Sequence, residues 1–230
     1  MGKKALKTGV VIAAGGVGTR FGGRIPKQFA LLNGKTVLQR TLERFEAVPE
    51  VGQIVLVAPA EHLPRAKAIV FRAGLRKVSR IVVGGKDRQD SVWSGLRAFP
   101  SPPDVVLVHD AVRPLVTSRL IKEVIRQAIQ YEAVVPGVPV RDTVKLERAK
   151  GVLAHTLDRS KLWSVQTPQG FRYDLLLQAH RLAKRKHFRA TDDASLVELL
   201  GVPIRVVEGS HRNMKITLQD DIKIAALWAK

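Results

Sequence analysis

The chain contains no cysteine, which excludes disulfides and thiolate metal sites and fits an intracellular, cytoplasmic protein. Aromatic residues make up only 5% of it and do not interleave with its basic runs, so no stacking surface for single-stranded nucleic acid is evident. No apolar run approaches the length of a membrane span. Acidic residues are scarce, 20 against 39 lysines and arginines, giving a formal net charge of +19. Such a field attracts polyanions, from small phosphates to nucleic acid. Its sources are scattered, however, over Lys3 and Lys4, residues 72–80 and residues 184–189. A basic nucleic-acid-binding protein is one reading of this charge. A cationic surface with no dedicated nucleic-acid partner is the plainer one.

Familiar catalytic signatures are also missing. There is no G-x-S-x-G, no paired-carboxylate pattern and no evident nucleophile–base pair. Two phosphate motifs fail on inspection. Gly34-Lys35-Thr36 lacks the upstream glycine of a P-loop, because position 29 is Phe29. Gly16-Val17-Gly18 leads to Phe21 where the dinucleotide fingerprint needs glycine.

What the sequence does contain is a glycine–cation loop. An apolar run, Val10–Ile12, reads as a buried strand and leads into residues 13–29, AAGGVGTRFGGRIPKQF. Gly15, Gly16, Gly18, Gly22 and Gly23 lie close to Arg20 and Lys27. Glycine lets successive N–H groups approach a ligand and form an anion-binding concavity, and the two cations make a polyphosphate the natural guest. The plainer alternative is a flexible turn with surface charges.

With 230 residues, 45% of them apolar, one α/β domain over residues 1–230 is expected. The short apolar stretch near the N-terminus reads as a first strand, not a signal peptide. Periodicity predicts helices over residues 36–48, 61–73, 87–99, 119–130, 173–186, 192–200 and 219–228, with the 192–200 helix capped by Thr191 or Asp192. Buried strands are expected at 53–58, 80–83, 104–108, from 133, and at 202–207, and an extended segment at 213–217. This alternation implies a mostly parallel sheet with helices on both faces. Ligands in such sheets lie beyond the carboxyl ends of the strands. That rule places residues 13–27, 84–91 and 109–114 at one rim. Between Pro136 and Leu157 the pattern instead reads as a β-hairpin, with strands at 136–140 and 151–157, forming an arm over residues 137–160. Such an arm suits pairing with a second subunit, and a simple surface flap is the alternative. Residues 166–169 read as a loop.

Several residues at that rim suit phosphate chemistry. Asp110 is suited to a metal–phosphate complex or a substrate hydroxyl, and Arg113 to holding that carboxylate or touching substrate. An Asp–Arg capping pair is the plainer reading, and His109 reads as a hydrogen-bonded structural residue. Gly84–Ser91 offers backbone and a hydroxyl for reading a base edge, or simply a turn and a helix cap. Lys215 alternates with Asn213 and Thr217 toward one face, pointing at the site or snorkelling at the surface. These groups suit phosphoryl or nucleotidyl transfer, where a protein mainly positions reactants and stabilises developing charge.

Taken in order, AAGGVGTRFG, PKQF, GGKDRQDSV, VLVHDAVRP, PVRDTVK, TLDRSKLW, QTPQGF, TDDAS and NMKIT closely resemble the 2-C-methyl-D-erythritol 4-phosphate cytidylyltransferase family, over residues 9–227. The resemblance implies a Rossmann-like nucleotidyltransferase fold and a homodimer clasped by its arms. It further implies Mg²⁺-dependent reaction of CTP with methylerythritol phosphate, giving the CDP-alcohol and pyrophosphate. Arg20 and Lys27 match the transition-state stabilisers, Lys215 a phosphate-positioning lysine, and Ala14, Gly15, Gly16 and Gly18 the CTP loop. Gly85 and Ser91 match the cytosine-reading segment. Asp110 and Arg113 match positions near the ribose and the acceptor hydroxyls, with Asp110 the candidate metal contact, directly or through water. Arg159 and Thr143, from the arm, would reach the acceptor across the dimer, and Thr167 and Thr191 would line its pocket. Three positions depart from the pattern: Lys86 replaces an acidic residue of some members, Phe21 a frequent methionine, and Val112 a frequent alanine. GGVGTR and HDAVRP also resemble ribitol-5-phosphate cytidylyltransferases, but the arm residues look like the methylerythritol enzyme.

Overall fold

A computed structural model describes residues 6–15, 21–22 and 25–229. Its framework is a sheet built on β1 (Thr8–Ala13), β4 (Val51–Ala58), β5 (Val78–Val83) and β6 (Val105–Asp110), all parallel. β1 lies between β4 and β6. Chain connections therefore run outward in opposite directions from β1, and β1/β6 is the switch point of the sheet. Beyond β6 come β11 (Gln169–Arg172) and β7 (Ala133–Pro139), with β10 (Trp163–Val165) and β12 (Arg205–Glu208) both paired to β7.

The central strands are apolar on both faces because helices cover both. Val10, Ile12, Ile54, Leu56, Val105 and Leu107 face one layer, formed by α1 (Val37–Glu46), α2 (Leu63–Arg72) and α4 (Ser118–Tyr131). The alternate residues Val11, Val55, Val57, Val106 and Val108 face α3 (Arg88–Arg97), α5 (Tyr173–Arg185) and α6 (Ala194–Glu198). The two-residue period of a strand and burial on both sides account for these continuous runs. Helix α3 rests directly on the sheet at Gly95, where a β-carbon would lie 2.6 Å from Val11 Cγ1. A third, smaller cluster joins α7 (Gln219–Trp228) to the short β2–β3 hairpin (Leu31–Leu32, Lys35–Thr36). Phe21 and Val112, two of the departures from the family pattern, pack together with Ile216 in this cluster.

Helix starts follow the expected capping chemistry. Thr36, Asp87 and Thr117 each accept a hydrogen bond from the backbone N–H three residues on, at the starts of α1, α3 and α4. Four local expectations need correction. Residues 136–139 are not part of the hairpin but complete β7, pairing with β10 on one side and β12 on the other. The hairpin proper is β8 (Lys145–Ala149) with β9 (Val152–Thr156), a separate two-stranded sheet whose strand residues are all exposed. Gln169 is not in a loop but opens β11, an antiparallel strand between β6 and β7. Finally, α6 is shorter than 192–200, and neither Thr191 nor Asp192 is its boundary residue. Asp193 is, although the Asp192 side chain does accept from Ser195 N–H. Residues 213–217 belong to no strand: Asn213 lies in a bend and 214–217 have no regular secondary structure.

Candidate active site

The carboxyl ends of the central strands are tied together by backbone hydrogen bonds. Ala111 N–H donates to Ala13 O, Ala14 N–H to Val57 O, and Gly84 N–H to Ala58 O. The rim foreseen from the sequence therefore forms, with Ala14, Gly15, Gly84, Gly85 and Asp110 along it. Gly16, Gly18 and Arg20 lie outside the described residues. Lys27 is buried and opens a 3-10 turn at Lys27–Phe29, which is fastened to the strand end by Gln28 Nε2 donating to Ala14 O.

Ser91 Oγ is the pivot of the second rim segment. It accepts from Gly85 N–H at 3.1 Å and donates to Asp87 O at 2.7 Å. The hydroxyl is buried and fully engaged, so Ser91 shapes the Gly84–Gly85 backbone. Glycine is required at Gly85, where a β-carbon would lie 2.3 Å from Asp90 Cβ. Lys86 is exposed.

Next to these segments lies a cavity of about 260 Å³, lined by Arg88, Asp110, Arg113, Gln166, Thr167, Thr191, Asp192 and Lys215, among others. Five of the residues expected at the site, Asp110, Arg113, Thr167, Thr191 and Lys215, are brought together here. Asp110, the last residue of β6, is ringed by cations. Arg88 Nε is 3.2 Å from Oδ1, Lys215 Nζ 2.9 Å from Oδ2 and Arg113 Nε 3.7 Å from Oδ2. Burial alone would push this carboxyl up. The charges of Arg88, Lys215 and Arg113 outweigh it and hold Asp110 well below the usual carboxylate range. Lys215 reaches the cavity because Ile216 N–H donates to Val112 O, docking its segment beside the Asp110 loop.

His109 is wholly buried and stays structural. Its Nδ1 lies 3.0 Å from Thr167 Oγ1 and its Nε2 3.2 Å from Arg113 O. Desolvation pushes it down to about 3, so the ring is neutral at physiological pH. The Gln-Thr-Pro-Gln segment is equally tied down. Gln166 bridges Pro136 and Ser210, Asn213 Nδ2 donates to Thr167 O, and Gln169 Oε1 accepts from the N–H groups of Asp193 and Ala194.

Thr143 and Arg159 are not in the cavity. Both sit exposed at the base of the hairpin, and Arg159 Nη1 donates to Arg141 O. Sequence reasoning gave no site role to Arg88, Gln166, Gln169 or Asp193, and gave Asp192 only that of a helix cap. A signal existed for Arg88 and Asp193: Arg88 follows the Asp87 cap immediately, and Asp193 supplies one carboxylate more than a helix cap needs.

Metal fit is limited by charge. No group of three or more metal-ligating side chains occurs among the described residues. The Asp110 oxygens already face three cations, and Asp192 is engaged by Ser195 and Gln169. This is not a preformed cage for a resident divalent ion.

An open sheet with a cation-ringed carboxylate in the crevice at its switch point is the build of an α/β protein that binds a nucleotide or another phosphorylated ligand there. Comparison with known proteins narrows the class. The family model described as 2-C-methyl-D-erythritol 4-phosphate cytidylyltransferase matches residues 8–230, and the chain belongs to that family. A relative bearing that name from Pelotomaculum thermopropionicum is 46% identical over 220 residues, covering 95% of this chain and 92% of the relative. Among solved structures, 4-diphosphocytidyl-2C-methyl-D-erythritol synthase from Anaerococcus prevotii superposes with a TM-score of 0.85 at 28% identity, covering 98% of this chain and 99% of that one. The 2-C-methyl-D-erythritol 4-phosphate cytidylyltransferase of Thermus thermophilus gives a TM-score of 0.80 at 34% identity, covering 97% and 98%.

Proposed function

We propose that this chain transfers the cytidylyl group of CTP to 2-C-methyl-D-erythritol 4-phosphate. A phosphate oxygen of the acceptor attacks the α-phosphorus of CTP. The bond from that phosphorus to the bridging oxygen breaks, and pyrophosphate leaves, giving CDP-methylerythritol. The observation that carries the reading is the Asp110 cluster at the switch point, in a chain of this family. No general base is required, because the nucleophile is already an anion. The work left to the protein is holding two anions together and stabilising the charge that builds between them.

The roles divide along the rim. Gly15, Gly16 and Gly18 wrap the triphosphate, and Arg20 and Lys27 meet the α-phosphate region. Gly85 backbone reads cytosine, with Ser91 holding that backbone in place. Asp110 accepts a hydroxyl hydrogen bond from ribose or acceptor, while Arg113, Thr167 and Thr191 line the acceptor side. Lys215 positions phosphate. Mg²⁺ would be carried by CTP and would offset its phosphate charge, since Asp110, already facing three cations, is not by itself a resident site. Thr143 and Arg159 act from the arm of a second subunit. The apolar side chains Leu146, Val152 and Leu153, exposed on the hairpin, support an interface there. No described helix is long and apolar enough to cross a membrane, and we assign the enzyme to the cytoplasm.

The test supplies Mg²⁺, each of four nucleoside triphosphates, and either methylerythritol phosphate or ribitol phosphate, and follows pyrophosphate. Turnover with CTP and methylerythritol phosphate is expected. Absence of that turnover refutes the assignment, and preference for ribitol phosphate replaces the acceptor.

A further inference from the structure

The most deeply buried charge at this end of the sheet lies beneath the cavity. Asp193 has no exposed surface. Its Oδ2 is 2.7 Å from Arg88 Nη1, and its Oδ1 is 3.6 Å from Nε2 of the buried His180. The carboxylate is not needed as a helix cap. The N–H groups of Asp193, Ala194 and Ser195 at the start of α6 are already taken by Gln169 Oε1 and Asp192 Oδ1.

Nor is the cluster economical as structural cement. Arg88 Nη2, Arg113 Nε, His180 Nε2 and both Asp193 oxygens have no hydrogen-bond partner of good geometry among the described residues. Buried ion pairs with unsatisfied atoms are often less stabilising than apolar side chains of the same volume. The arrangement does achieve a fixed chain of contacts. Asp193 holds Nη1 of Arg88, which directs Nε of the same planar group at Asp110 Oδ1, 3.2 Å away. With one oxygen held from below, the other meets Lys215 Nζ at 2.9 Å. Lys215 is 40% exposed and faces the cavity.

We propose that Asp193 and Arg88 are positioning residues for the reaction: Asp193 locks Arg88, Arg88 orients the Asp110 carboxylate, and Asp110 aims the Lys215 ammonium at the transferred phosphate. The inference rests on the cytidylyl-transfer reading. Arginine is required because its planar fork spans two carboxylates, which a lysine ammonium cannot do in the same geometry.

The experiment compares wild-type protein with Asp193→Asn and Arg88→Lys, measuring kcat and KM for CTP and for methylerythritol phosphate. Folded fraction is checked by circular dichroism. The expected result is a fall in kcat on the order of tenfold or more in each variant, with KM for CTP changed much less. Lys215→Ala is then placed in the Arg88→Lys background. Its additional effect on kcat should be clearly smaller than its effect in wild-type protein, because the lysine is no longer aimed. Folded variants with wild-type kcat, or full additivity in the cycle, overturn the proposal. If Asp193→Asn does not fold, the Arg88→Lys cycle decides the question in the same terms. Wild-type protein inactive with CTP and methylerythritol phosphate refutes the underlying reaction instead.

Discussion

Thr167 Oγ1 sits between His109 and Asp110, 3.0 Å from the His109 Nδ1 atom and 3.2 Å from the Asp110 N–H. The chemistry fixes the direction of each bond. Arg113 O can only accept, so His109 Nε2 carries the proton and Nδ1 accepts from the Thr167 hydroxyl. That hydroxyl in turn accepts from Asp110 N–H. Replacing Thr167 with Val leaves two buried groups without partners, at a cost of about 1–3 kcal/mol. Urea unfolding of Thr167→Val should show this loss, and Thr167→Ser should restore most of it. Equal stability of all three proteins would remove the hydroxyl from the account.

Acid should weaken the fold well above the carboxylate range. His109 in the folded protein takes its proton only near pH 3, against an ordinary value of 6.5. Below pH 6.5 the unfolded chain binds a proton that the folded chain refuses. Stability therefore falls by about 1.4 kcal/mol for each pH unit until the folded value is reached. Asp110 and Asp193 add to this at lower pH. Their folded values are held down, so their contribution is present above the ordinary 3.8 and is lost as pH falls through the folded values. Denaturant melts at pH 7.5 and 5.5 should differ by about 1.4 kcal/mol for wild-type protein, and His109→Gln should flatten this slope. A flat wild-type profile would reject the assignment.

Lys215 should matter more to turnover than to binding. Lys215→Met keeps the aliphatic stem but removes the charge beside Asp110. The loss of one preorganised charge contact costs on the order of a hundredfold in kcat. Lys27→Met should behave alike. Steady-state kinetics with calorimetric CTP binding separates the two effects, and an unchanged kcat in either variant takes that lysine out of the mechanism.

Two glycines of similar tightness should fail differently. Gly95→Ala forces a methyl group against Val11 and Val57, far from the cavity, and should cost roughly 1–3 kcal/mol of stability by overpacking with little change in KM. Gly85→Ala drives its methyl group into Asp90 and displaces the backbone held by Ser91. It should raise the KM for CTP in protein that still folds. Matching kinetic effects in the two variants would contradict the separation.

The hairpin predicts a concentration-dependent assembly. Leu153 is 60% exposed on β9. On the proposed shared-site reading, Leu153→Asp should shift sedimentation toward a monomer and lower activity, because it would withdraw Thr143 and Arg159 from the neighbouring site. Mixing Arg159→Ala with Lys27→Ala subunits should recover part of the activity. A monomeric wild-type protein of full activity would end the shared-site account.

Much of this architecture was legible because its signals are local. The runs at β1, β4 and β6 are apolar on both faces, and Asp87 stands at the start of its helix as such a residue does. The elements missed are those held by distant partners. β11 has only Phe171 as a large apolar residue, and its identity as a strand comes from pairing on both sides to β6 and β7. Residues 136–139 alternate like a hairpin strand, yet their ladders form with β10 and β12. The Asp110 cluster follows the same division. Asp110 and Arg113 are three residues apart. Arg88 is 22 residues from Asp110, and Asp193 stands at the start of a different helix, α6, so only folding reveals that one guanidinium serves both acids.

The antiparallel strand β11 also sets an order of assembly during synthesis. β1, β4, β5 and β6 are complete once residue 110 has emerged, whereas β6 and β7 have no shared edge until residues 169–172 fill the gap between them. A nascent chain that has passed β7 but not β11 carries an open edge on β6 and another on β7 facing the missing piece, and the far edge of β7 stays open until β12 is made. Such edges are templates for pairing with other chains. The half of the sheet built on β7 and β11 is therefore the half that forms last, and a ribosome stalled before β11 displays unpaired strand edges open to other chains.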